Sequence, residues 1–221
     1  MTKIIGITQL KGGTGRSTLA TNIVAQLAEL GSTTLIDCDI PQGTSASWHS
    51  LRADRGKTDN IDLITIDNHQ ALINKVQSLH CDFVVIDAPP RIAAITRSIL
   101  MLSDVLLIPL GTSAAEIWAT TDLLDTIKEA QQQQPDLVYR IVWNRFRSYT
   151  RSANELKTAV QAELNAPSLN TTIGHRVAYS DTLAIGLSVT ECKDKAAKNE
   201  IQSLTAEVLS LLGEKKHGCN N

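Results

Sequence analysis

Short apolar runs rich in β-branched residues alternate with longer stretches whose apolar residues recur at helical spacing. Residues 3–8 form such a run, a glycine-rich turn follows, and residues 17–30 then repeat with a helical period. Gly31 stands just past that helix, where a left-handed residue commonly ends one, and residues 33–36 read as a second buried strand running into Asp37-Cys38-Asp39. Residues 62–66 read as a third strand, 69–79 as a helix, and 83–86 as a fourth strand that stops at Asp87-Ala88-Pro89-Pro90. Residues 105–109 and 140–143 are further strands, separated by a helix over 115–133 that runs out in glutamines and Pro135. Helices over 153–164 and 195–212 complete the pattern. Strands alternating with helices predict an α/β fold, a doubly wound, mostly parallel sheet with helices on both faces. In such a sheet a ligand lies beyond the carboxyl ends of the strands, so the polar clusters at those ends are expected to share one site.

A chain of 221 residues fits one core, and residues 1–212 are expected to form a single domain followed by a polar, flexible tail over 213–221. With 43% hydrophobic and 20% charged residues the composition is that of an ordinary globular domain, which excludes a disordered chain or a disulfide scaffold. A net charge of −2 excludes a protein that coats nucleic acid with its whole surface and leaves room only for a local basic patch. Cys38, Cys81, Cys192 and Cys219 show no CxxC spacing, which argues against zinc and against a disulfide framework. The run after the N-terminus is too short for a signal peptide, and no stretch reaches the ~18 apolar residues of a membrane span. The C-terminal residues lack the aromatic anchors of a membrane-binding helix. A cytoplasmic location without a membrane partner is the expectation.

The chemistry starts at Lys11-Gly12-Gly13-Thr14-Gly15-Arg16-Ser17-Thr18, between a strand and a helix. Glycines there let successive backbone N–H groups turn onto phosphate oxygens, and the helix N-terminus adds its partial positive charge. The Ser17 hydroxyl is suited to Mg²⁺. No G-x-S-x-G elbow occurs and the five histidines are scattered, so no competing nucleophile constellation is seen. Asp37 and Asp39, two residues apart, point to one side if the strand persists, which makes Asp37 a candidate for the metal shell.

The loop resembles the deviant Walker A motif, KGGxGK[ST], of the ParA/MinD ATPases. Asp37-Cys38-Asp39 followed by Pro41-Gln42 is similar to that family's switch I, usually DxDPQ, here with Ile40 inserted. Phe83-Val84-Val85-Ile86-Asp87-Ala88-Pro89-Pro90 resembles its Walker B and switch II segment, and Trp143-Asn144-Arg145 its adenine-contacting stretch. Arg176-Val177-Ala178-Tyr179 and Gly186-Leu187-Ser188-Val189 resemble the end of small single-domain plasmid-partition ATPases of the ParF type, so the resemblance spans nearly the whole chain. It implies ATP and Mg²⁺ as ligands, with Lys11 completing the partner's site across a homodimer, Asp39 orienting the attacking water and Asp87 holding Mg²⁺ together with Ser17. One position departs from the motif. Arg16 stands where the phosphate-contacting lysine is expected, and its planar fork is not equivalent to a compact ammonium. Three cases are open: a natural variant that still hydrolyses ATP, one that binds nucleotide but turns over poorly, and an engineered substitution.

The resemblance further implies an ATP-dependent dimerisation switch that binds DNA non-specifically, associates with the nucleoid, and segregates a plasmid or chromosome with a ParB-like adaptor that stimulates hydrolysis. Arg140, Arg145, Arg147 and Arg151, interleaved with Trp143, Phe146 and Tyr149, suggest a basic patch for DNA phosphates. Arg147, Arg151, Arg176, Lys193, Lys195 and Lys198 are the candidate DNA-binding residues. The alternatives are positioning of a protein compartment such as the carboxysome, a P-loop enzyme that couples ATP to synthesis or metal-cluster delivery, and a nucleotide-binding module whose hydrolysis Arg16 impairs.

Overall fold

The computed structural model describes residues 2–40, 42–57, 60–91, 94–147 and 151–214. Six strands, β1 (Lys3–Ile7), β2 (Thr33–Asp37), β3 (Ile61–Thr65), β4 (Phe83–Asp87), β5 (Val105–Leu110) and β6 (Val138–Trp143), form one sheet in the order β3-β2-β4-β1-β5-β6. Every neighbouring pair is parallel. The helices are α1 (Arg16–Ala28), α2 (Thr44–Asp54), α3 (His69–Ser78), α4 (Ala94–Leu102), α5 (Ala114–Gln133), α6 (Arg151–Leu164), α7 (Val177–Leu183) and α8 (Lys195–Glu214).

Alternation along the strands divides the core. Ile5, Ile7, Val85, Val105 and Leu107 pack with Leu19 and Ile23 of α1 and with Ile201 and Leu204 of α8 on one face. Val84, Ile86, Leu106 and Ile108 pack with Leu72 of α3, Ile99 of α4 and Leu123 and Ile127 of α5 on the other. A third cluster at the β6 edge joins Trp143 and Phe146 to Val160 of α6. The predicted sheet and its two helical layers are therefore present, and register places Asp87 beside both Ile7 and Asp37 at the carboxyl edge.

Three helices escape the pattern reading. α2 starts after Gly43 in a left-handed conformation without a side-chain cap, and its buried residues are Ser45, Trp48 and Arg52, two of them polar. α7 has seven residues, too few for a period to emerge. α4 buries Ile95, Thr96, Ile99 and Leu100 at helical spacing and was readable as a helix. α8 includes Gly213 and Glu214, two residues that the sequence assigns to the tail, while 215–221 and Pro41 and Tyr149 of the motif reading lie outside the described residues.

Polar contacts fasten α2 to the chain that follows α7. Trp48 Nε1 donates to the Leu187 carbonyl at 3.0 Å, and Arg52 donates to the Gly186 carbonyl at 3.2 Å and to Glu191 at 2.7 Å, with Lys57 also donating to Glu191. Gly186, at φ 72°, backs onto Arg52 so closely that a Cβ would overlap its backbone. Burial raises the Glu191 carboxyl, but the Arg52 and Lys57 donors outweigh it and hold the group at about 2 against an ordinary 4.5. Because the folded value is depressed, the stability is present above 4.5 and is lost as pH falls toward 2. Glu191→Gln is expected to lower unfolding free energy by about 2 kcal/mol at neutral pH. The gap should shrink on the acid side of 4.5, and denaturant unfolding across that range that shows a constant gap would refute the account.

Candidate functional site

The loop leaving β1 wraps a cavity of about 480 Å³ lined by residues 12–18, Asp39, Gln42, Thr44 and Pro90. Gly13 (φ 76°) and Gly15 (φ 93°) take left-handed backbone that other residues adopt only with strain. Gly15 caps α1 with no side-chain hydrogen bond, so no side chain competes for the N–H groups of the helix's first turn. Lys11, Gly12 and Gly13 are exposed at the loop's outer edge, whereas Thr14 is buried with its Oγ1 unpartnered. The site accordingly offers backbone donors and a helix N-terminus to an anion.

Arg16 turns its guanidinium into the protein. Its Nε donates to the Ala88 carbonyl at 2.9 Å, and Nη1 donates to the Gln9 carbonyl at 2.8 Å and the Lys11 carbonyl at 2.9 Å. Nη2 makes an ion pair with Asp39 at 3.6 Å, and the side chain is 7% exposed. One residue thus ties the phosphate loop to the segments after β2 and after β4. Burial lowers its pKa, with Asp87 and Asp39 opposing. Lysine has one nitrogen and could not reach the loop-entry carbonyls and the Ala88 carbonyl in the same way.

Asp37, Asp39 and Asp87 lie near one another at the ends of β2 and β4 but differ in state. Both Asp37 oxygens accept backbone N–H groups, from Asp39 at 3.0 Å and from Ala46 at 2.9 Å, so this carboxylate shapes the turn into α2. Burial raises the Asp39 carboxyl, with Arg16 opposing. Asp87 accepts the Ser45 hydroxyl on Oδ2 at 2.7 Å, while Oδ1 is buried without a hydrogen-bond partner. Burial pushes the Asp87 carboxyl up to about 6 despite the neighbouring hydroxyls of Ser17 and Ser45. A buried carboxylate oxygen without a donor, next to a serine hydroxyl, fits a divalent cation or its water. Among the described residues no group of three or more His, Cys, Asp or Glu forms a metal cluster, so a cation here would draw its other ligands from the nucleotide and water.

A second cavity of about 270 Å³ shares Gly15 and Thr18 with the first and is bounded by Asn144, Arg145, His175, Arg176 and Tyr179. Asn144 is buried; its Nδ2 donates to the Thr14 carbonyl at 2.7 Å and its Oδ1 accepts the Arg145 N–H at 2.9 Å. The two cavities meet at Gly15 and Thr18.

A family model described as an AAA domain matches residues 57–139. The chain is 30% identical over 212 residues to the maintenance of carboxysome distribution protein A of Halothiobacillus neapolitanus, covering 93% of this chain and 95% of that protein. The chain belongs to the ParA/MinD family of P-loop ATPases. The chromosome-partitioning ATPase Soj of Thermus thermophilus is 26% identical over 158 residues, which cover 58% of this chain and 62% of that one. The septum site-determining protein MinD of Pyrococcus horikoshii, complexed with Mg-ADP, shares the fold with a TM-score of 0.77 at 20% identity, covering 97% and 99% of the two chains.

Relative to the ParA/MinD motifs, the pattern reading missed Ser45, which holds Asp87, and Glu116, which pairs with Arg145 at 2.7 Å. Ser113-x-x-Glu116 has the spacing of a helix capping box and was legible as such. The expected basic patch is not assembled as read. Trp143 and Phe146 are buried core residues 5.9 Å apart, Arg151 pairs with Glu155 at 2.7 Å, and Arg176 pairs with Glu200 at 2.8 Å. Lys193 and Lys195 are exposed and Lys198 is half-buried at the start of α8. No helix of the described residues is long and apolar enough to cross a membrane.

The loop glycines are not equivalent. A Cβ at Gly15 would overlap the Asn144 amide in addition to its left-handed strain, whereas one at Gly12 would meet nothing within 4 Å. Gly15→Ala should cost about 2 kcal/mol or more and Gly12→Ala close to nothing, as read by thermal unfolding of the nucleotide-free protein. Equal melting points for the two variants would contradict this packing.

Proposed function

We propose that this protein is an ATP-driven positioning switch: ATP and Mg²⁺ bind at residues 11–18, two protomers close on one another, the dimer holds DNA non-specifically, and hydrolysis resets it. The observation that carries the reading is a cavity beyond the strand ends lined by the phosphate loop and Asp39, with Asp87 buried at the end of β4 against Ser45. Bound Mg²⁺ would offset phosphate charge, and Ser17 and Asp87 are the residues suited to hold it. Asp37 is less suited, since both its oxygens already accept backbone N–H groups. Lys11, exposed at the loop edge, is free to reach a partner's phosphates, an effect worth roughly 10³ to 10⁵ in rate when an arginine finger supplies it. Asp39 is the group to orient the attacking water, and Arg16 holds it in an ion pair.

That pairing argues for slow hydrolysis rather than none, because Asp39 must leave Arg16 before it can engage water. Nucleotide-dependent DNA binding is assigned to Lys193, Lys195 and Lys198 ahead of Arg151 and Arg176, whose charges are already matched by glutamates. Similarity over 95% of the carboxysome distribution protein favours a protein compartment as cargo, with plasmid or chromosome partition as the second reading. A ParB-like adaptor that stimulates turnover belongs to either cargo.

Phosphate release and DNA retention, measured with ATP, ADP and no nucleotide at one salt concentration, test this reading. DNA should be retained only with ATP, and Arg16→Lys should raise turnover about tenfold, the worth of one charge-assisted contact to Asp39. Retention that ignores nucleotide, or a chain that binds no ATP, would sink the proposal.

A further inference from the structure

Two arginines flank the second cavity, and each is held by a glutamate that lies outside the motifs. On one side, Arg145 sits at φ 52°, a left-handed conformation uncommon for a residue with a Cβ. Its Nη2 donates to Glu116 Oε1 at 2.7 Å. The same buried carboxylate accepts the Gly111 N–H at 2.6 Å and the Ser113 hydroxyl at 3.1 Å. A Cβ on Gly111 would lie 2.6 Å from Glu116 Oε2, so the glycine is what admits the carboxylate. On the other side, Glu200 of α8 accepts Nε of Arg176 at 3.0 Å and Nη2 at 2.8 Å, together with the Gly174 N–H at 3.0 Å and the Tyr179 hydroxyl at 2.8 Å.

Nothing in the phosphate-loop chemistry requires either glutamate. Each instead fixes the plane of a guanidinium at the rim of a cavity of about 270 Å³ that opens off the phosphate loop. Planar guanidiniums stack on aromatic faces and donate to ring acceptors, and side chains locked by carboxylates do so without first losing rotamer freedom. Glu116 acts further through the chain of contacts from Arg145 to Asn144 to the Thr14 carbonyl, which joins this wall to the phosphate loop.

We propose that Glu116 and Glu200 are positioning residues that hold Arg145 and Arg176 as the two sides of a clamp for the base of the bound nucleotide. The proposal rests on the reading of residues 11–18 as an ATP site. Inorganic tripolyphosphate occupies a phosphate site but has no base, which separates the two readings.

Calorimetric affinities of the full chain for ADP and for tripolyphosphate, both with Mg²⁺, give the test. Glu116→Gln keeps the Ser113 cap on the position-116 N–H and one oxygen acceptor, and removes the charge-assisted contact to Arg145. Glu116→Gln and Glu200→Gln should each weaken ADP about tenfold and leave tripolyphosphate within about twofold. Arg145→Lys and Arg176→Lys keep the charge and the glutamate contact but lose the plane, and should weaken ADP by a similar factor. The double variant Glu116→Gln/Arg145→Lys should lose no more than either single change, as expected of residues acting as one unit. Unchanged ADP affinity in both glutamine variants, or an equal loss for ADP and tripolyphosphate, overturns the clamp while the ATP reading stands. A wild-type chain that binds neither ligand overturns both.

Discussion

A guanidinium buried to 7% exposure cannot remain charged unless every side of it meets an acceptor, and the Arg16 group meets that demand with the Gln9 and Lys11 carbonyls where the chain enters the phosphate loop, a carbonyl after β4, and Asp39. The arrangement is possible only because β1, β2 and β4 are neighbours whose carboxyl ends lie level, so that Gln9, Asp39 and Ala88 come within reach of one side chain. The rest of the site follows from that constraint. The loop must fold back over the helix start to present its carbonyls, which requires left-handed backbone at Gly13 and Gly15. Residues 12–18 in turn line the cavity.

Much of this was legible in the residues. The six strands and the helices over α1, α3, α5, α6 and α8 announce themselves because each buries an apolar stripe of adequate length, and the glycine spacing of residues 11–18 marks the loop before any fold is known. What the residues did not disclose is where charged side chains point. Arg16 reads in the sequence as a stand-in for the phosphate-contacting lysine, and only the placement of Gln9, Lys11 and Ala88 around it shows that it turns inward. Arg145 read as part of a patch because its partner is remote: Glu116 lies 29 residues away in sequence, and a one-dimensional charge run cannot reveal such a pair. Trp143 and Phe146 misled for the same reason, since an aromatic beside arginines is as much at home in a core as on a nucleic-acid surface.

The polar contacts also connect distant parts of the fold. α2 begins immediately after the segment that carries Asp39 and Gln42, and its own buried side chains, Trp48 and Arg52, are tied to Leu187, Gly186 and Glu191. α1 reaches the same place, because the Asn22 amide oxygen accepts the Ser188 hydroxyl and the Val189 N–H. The turn ahead of α8 is therefore bolted to both helices that leave the phosphate cavity, and the exposed Lys193 and Lys195 follow it in the chain.

The two ends of this network are treated differently by the chain. Around Glu191 the carboxylate is met by Arg52, Lys57 and the Ser188 N–H, and its pKa falls to about 2, so ionisation there stabilises the fold. Around Asp87 the balance is reversed. One oxygen lacks a donor, the pKa rises to about 6, and Thr14 of the phosphate loop also has a buried hydroxyl oxygen without a partner. A fold able to satisfy a buried carboxylate so fully at one end has no general difficulty in doing so at the other, which makes the deficit at Asp87 a property of the site rather than of poor packing. The groups left wanting are an acceptor at Asp87, a hydroxyl at Thr14 and an uncapped helix N-terminus at α1, and a nucleotide with its cation supplies a counterpart to each.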